Sequence, residues 1–140
     1  MAETLIQATA AAILVSGLAT RYDPMTMDAV VANRILYGQI PDQDEQPWHK
    51  GYVALLDCDH LGRLVWLEQG DRVDGPYLVA DCAAAQDRDR LMGLGWAVDL
   101  SWEVAVEWGV LDDVGRGFCV YDRDPRQVML SGPLDRAAPR

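Results

Sequence analysis

Residues 95–109, GWAVDLSWEVAVEWG, constrain the fold more than any other stretch, because they set a strand, a carboxylate and a capped helix side by side. Trp96, Ala97 and Val98 suit a buried strand, Asp99 interrupts them, and Ser101 is a good N-cap for the helix that follows. Gly109 is placed to end that helix in the left-handed conformation that glycine adopts without a Cβ clash. Trp102, Ala105, Val106 and Gly109 recur at helical spacing and predict its apolar face, with Glu103 and Glu107 on another. A carboxylate fixed where a strand becomes a helix either caps backbone donors or does chemistry.

The rest of the chain reads as short strands and turns around this junction. Residues 13–22 suit a strand with a kink at Gly17, and residues 8–12 could instead extend a short helix. Asp23-Pro24 predicts a helix start with Asp23 as N-cap, and Met27, Val30, Val31 and Ile35 supply one apolar face ending near Gly38. Residues 39–50 form a polar loop with two prolines. Strands are expected at 52–56, 63–68 and 77–80, a short helix at 87–94, and strands at 117–121 and 127–130. With no βαβ alternation, these predict a small antiparallel or mixed barrel. A loose internal echo links residues 20–34 with 98–109. Residues 1–14 are read as an N-terminal extension, 15–130 as the barrel domain and 131–140 as a tail.

Composition narrows the function. The chain has 140 residues, enough for one core burying roughly 70 % of the unfolded surface. Its net charge of −10, from 22 acids against 12 bases, leaves no basic stripe for nucleic acid or an anionic membrane. No apolar run reaches the ~20 residues of a membrane span. Residues 5–19 have the length of a secretory apolar segment, but Glu3 stands where a signal would carry a base, so they are read as mature chain with any export signal outside it. The three cysteines fit neither a zinc pattern nor a redox Cys-x-x-Cys pair. In an oxidising compartment Cys58 pairs naturally with Cys82, each following an aspartate; the alternative is three buried thiols. No phosphate loop, nucleophile elbow or cofactor motif is present.

Three pieces in order, GLATRY at 17–22, YLVADC at 77–82 and VDLSWEVA at 98–105, resemble the landmarks of double-psi β-barrels of the rare lipoprotein A, barwin and expansin type. The resemblance covers roughly residues 15–122. It implies a mainly β, six-stranded double-psi β-barrel with two or three short helices and a shallow polysaccharide groove. Its closest functional analogy is a peptidoglycan lytic transglycosylase of the envelope or secreted space; the other readings are a non-catalytic barrel binding glycan or protein, and a purely structural barrel. Carried onto this chain, the matching catalytic positions are Asp81 and Asp99, with Tyr22 as a sugar contact and Asp23 as a looser match to an endoglucanase base. The chain departs from the pattern in having Cys82-Ala83-Ala84 after the middle aspartate and Ala97-Val98 before the junction aspartate.

Bottom-up, Asp99 between Val98 and Leu100 is placed to have its pKa raised by burial and to act as an acid. The alternative is a structural acceptor for backbone amides. Trp66 and Trp102 are expected in the core, and Trp48, in the polar loop, is the tryptophan placed to meet a sugar. His49 and His60 read as loop histidines, and Asp42, Asp44 and Glu45 as a solvated acidic run.

Overall fold

The computed structural model describes residues 10–130, with side chains as far as Gln127. The sequence readings at 1–9 and 131–140 lie outside the described residues. Among the described residues six strands close into a barrel: β1 (Ile13–Arg21), β2 (Tyr52–Leu55), β3 (Leu64–Gln69), β4 (Arg72–Cys82), β5 (Trp96–Leu100) and β6 (Gly115–Tyr121), in the ring order β1-β5-β2-β4-β3-β6. Helices α1 (Thr26–Leu36), α2 (Ala85–Gly93), α3 (Trp102–Trp108) and α4 (Pro125–Leu130) decorate it. The expected mainly β, six-stranded barrel with short helices is what the chain forms.

The ring has a two-fold logic. β1 runs parallel to β5 and β4 parallel to β2, while β2–β5, β3–β4, β3–β6 and β1–β6 are antiparallel. Exchanging β1, β2 and β3 for β4, β5 and β6 leaves every pairing unchanged. The internal echo is therefore real but differently placed: α1, between β1 and β2, corresponds to α2, between β4 and β5. The expected match of residues 20–34 with 98–109 is not the symmetry of the fold.

The barrel interior is filled by alternate residues of the strands, among them Ala19, Val53, Val79, Val98 and Leu100, together with Tyr77 and Phe118. Helix α3 plugs one end. Ser101 caps it as expected, accepting from the Val104 amide at 3.4 Å, and Gly109 ends it at φ 71°. Its buried face is Val104, Ala105 and Trp108, while Val106 is exposed and Trp102 half-buried beneath the Arg21 guanidinium. The apolar face is thus rotated from the one expected. Trp66 is likewise half-buried, lying over Gly75 instead of inside the barrel.

A second apolar cluster lies outside the barrel wall, where Met27 and Val31 of α1 cover Ala54 and Ala80. Asp23 does not cap α1. The helix begins at Thr26 after Met25, which takes a left-handed φ of 69° and supplies no side-chain bond. Asp23 instead pairs with Arg21 at 2.9 Å. Residues 69–75, read from the sequence as a polar turn between the strands expected at 63–68 and 77–80, are mostly strand, because β4 starts at Arg72 and pairs with β3 through a tight turn at 70–71. Residues 127–130, expected as a strand, belong instead to α4: Pro125 opens it and the Asp124 side chain accepts from the Arg126 amide at 2.9 Å. The ring is already closed by β1 and β6, which leaves no edge for another strand.

Cys58 and Cys82 are joined by a disulfide, and Cys119 is a free thiol. The bond ties the turn after β2 to the end of β4. Replacing both cysteines by serine should cost about 3–4 kcal/mol, the loop-closure value for a ring of roughly 25 residues, measured by urea unfolding.

Gly17 sits in β1 at φ 146°, and a Cβ there would overlap the Gly95 carbonyl oxygen. That carbonyl accepts from the Leu18 amide at 2.7 Å, so neither chain can retreat. Gly17→Ala should therefore lower the unfolding free energy by about 2–3 kcal/mol, whereas Gly38→Ala, with open space around it, should cost less.

Candidate functional site

The site is a row across four strands. Thr20 of β1 stands opposite Asp99 of β5, Asp99 opposite Ala54 of β2, and Ala54 opposite Asp81 of β4. Each parallel ladder skips one residue to produce this alignment: Ala97 is passed over between Trp96 and Val98, and Ala80 between Val79 and Asp81. Both passed-over residues are fully buried alanines. Such bulges re-aim side chains, and here they turn both carboxylates to the outer wall of the barrel while Val98, Leu100 and Val79 point inward. With strands ~4.8 Å apart, the Cα atoms of Asp81 and Asp99 lie roughly 10 Å apart, with Ala54 at the register position between them.

The two aspartates have different surroundings. Asp81 is tightly held: Tyr22 Oη donates to Oδ2 at 2.5 Å and Arg34 Nη2 donates to Oδ1 at 2.6 Å. Arg34 is itself fixed by Gln39 at 2.9 Å and reaches Cys82 Sγ at 3.6 Å. Burial, with the bond to Asp81 adding to it, raises the pKa of Tyr22 far enough to keep the phenol protonated throughout the working range. Asp99 accepts from Thr20 Oγ1 at 3.0 Å through Oδ1, and among the described residues Oδ2 has no hydrogen bond. Its carboxyl is pushed up to about 6, chiefly by burial. The Thr20 bond opposes that shift, the negative charge of Asp81 adds to it, and Arg21 opposes it.

Asp99 lines a small cleft of about 80 Å³ together with Tyr22, Leu91, Trp96 and Cys82, so helix α2 roofs one side of it and the disulfide closes another. The structure thus brings together Asp81, Asp99, Tyr22 and the Cys58–Cys82 bond. It does not bring Asp23, whose side chain is 81 % exposed beside Arg21, nor Trp48, which is 73 % exposed in the loop and does not line the cleft. Sequence reasoning missed Thr20 and Arg34. The signal for Arg34 was a lone base beside Val31 and Ile35 on the apolar face of α1, a place where a guanidinium needs a partner.

The two histidines and the acidic run lie elsewhere. His49 is held by Gly51 and Gln46, and Asp42 and Asp44 border a separate groove of about 430 Å³ with Asp28, Val31 and Tyr52. No helix among the described residues is long and apolar enough to cross a membrane. Comparison with protein-family models, curated proteins and solved structures returned no match.

Because Asp99 titrates near its ordinary value of 3.8 when unfolded and near 6 when folded, its ionisation opposes folding. The cost is absent below about pH 4, grows as pH rises through 6, and levels off at about 2–3 kcal/mol. Asp99→Asn keeps an acceptor for Thr20 and removes the charge. It should be more stable than the parent by about 2 kcal/mol at pH 8 and equal to it near pH 3.5, as read by urea midpoints at the two pH values.

Proposed function

We propose that this chain is a double-psi β-barrel acting on a polysaccharide of the cell envelope or secreted space, most like a peptidoglycan lytic transglycosylase. The observation that carries the reading is Asp99: a carboxyl protonated up to about pH 6, in a cleft, with one oxygen unbonded among the described residues. That is the state a general acid needs to give a proton to a leaving glycosidic oxygen. Once ionised, the same group takes the proton of the sugar's 6-hydroxyl as that oxygen closes on the anomeric carbon, so one carboxyl completes both transfers and an anhydro-sugar leaves. Asp81, fixed by Tyr22 and Arg34, supplies a negative charge near the oxocarbenium-like centre. The two-fold interleaving of strands supports the double-psi assignment, and the disulfide supports an oxidising compartment.

One observation favours the non-catalytic reading, a barrel that binds glycan or a protein partner: both oxygens of Asp81 are already engaged by side chains of the protein itself. The third reading, a structural barrel, rests on aspartates bonded to backbone amides, and the partners found here are Thr20, Tyr22 and Arg34 side chains instead.

Incubation with purified peptidoglycan, followed by mass spectrometry of soluble products, separates these. Anhydro-sugar products should appear, their rate should fall as pH rises through about 6, and Asp99→Asn should reduce it by roughly 10²–10⁴-fold while still folded. No product between pH 4 and 8, with the protein still sedimenting with the wall, would establish a binding module. Neither product nor binding would leave the structural reading.

A further inference from the structure

A second cleft, of about 440 Å³, lies along the other side of α2. Its volume is in the range that holds a small-molecule ligand, several times that of the cleft at Asp99. One wall is apolar, made by Leu14 and Val15 of β1, Leu55 and Leu56 at the end of β2, and Met92 of α2. Met92 is 57 % exposed, so α2 presents an apolar side chain to this opening that the fold itself does not bury.

The polar wall has unused capacity. Arg88 faces Asp57 across 3.6 Å, with both side chains about two-fifths exposed, an ion pair too loose and wet to hold the guanidinium firmly. Asp57 already accepts from the Asp59 amide at 2.9 Å, capping the turn Cys58–His60. His60 lies in the same wall, and its Nδ1 is buried with no hydrogen-bond partner. That nitrogen is closed off by protein atoms as the ring stands, so a ligand oxygen would meet its N–H form only after the imidazole turns toward the cleft, and would then relieve the cost of leaving it unbonded. Asp89, the remaining charge of the wall, is exposed, so its side chain is free to turn to solvent away from the cleft.

We propose that this cleft binds a small monocarboxylate with a medium-length apolar chain, the chain along Leu14, Leu55, Leu56 and Met92 and the carboxylate on Arg88 and His60. Planar oxyanions suit a guanidinium because two N–H groups can meet two oxygens, a geometry that the present Asp57 contact does not achieve. The site stands independently of the activity assigned to Asp99.

The test is an amide-shift titration of the intact chain with octanoate, octanol and octylamine. Octanoate should shift residues 14–15, 55–60 and 88–92 and bind ~10-fold more tightly than octanol. Arg88→Gln should abolish that preference while leaving octanol binding unchanged, and Met92→Trp, an exposed change, should block all binding without altering the fold. Equal affinity for octanoate and octanol, tighter binding of octylamine, or no shift at these residues up to about 10 mM would each overturn the proposal.

Discussion

The structure depends on the exchange of strands between its two halves. The first half contributes β1, β2 and β3 and the second β4, β5 and β6, yet each parallel pair takes one strand from each half. Neither half can satisfy its own edges, because β1 finds its partners in β5 and β6 and β2 finds its partners in β5 and β4. Closure removes every free edge at once and makes the barrel one cooperative unit. The candidate site sits on the seam. Thr20, Tyr22, Arg34 and Ala54 come from the first half, Asp81 and Asp99 from the second.

That origin explains what the sequence could and could not disclose. The Ser101 cap, the Gly109 stop and the apolar face of α1 are local, set within a few residues, and all three are legible from the chain. Local signals failed where a distant strand decided. The stretch before residue 77 looks like a turn, but β3 lies alongside and recruits it into β4. Residues 127–130 have strand-like composition, but no edge is left for them to join. At Asp23-Pro24 the helix-start signature lost to Arg21, which takes the carboxylate and leaves the cap position to Met25. The two aspartates were legible as candidates, through their motif, whereas Arg34, which holds Asp81 from 47 positions away, was signalled only as a lone base on the apolar face of α1.

The bulges at Ala80 and Ala97 show why the carboxylates are where they are. Without the skipped residues, the strict alternation of a strand would carry Asp81 and Asp99 out of line with Ala54 and Thr20. The residue passed over at each point is an alanine with no exposed surface. Ala54, at the register position between the aspartates, is also small and almost fully buried, which leaves room on the outer wall for the two carboxylates and Tyr22.

The environment of Asp99 weighs on the choice between brace and acid. A brace would be surrounded by donors that favour its ionised form, and burial would then cost little. Asp99 instead has one hydroxyl partner among the described residues, a negative neighbour two strands away and apolar flanks, so its charged form is disfavoured by about 2–3 kcal/mol. The amide that a junction acceptor would ordinarily cap is already served, because Ser101 takes the Val104 N–H. A carboxylate kept in a place that disfavours its charge, when the capping task beside it is done by Ser101, is what the proposed proton transfer would require.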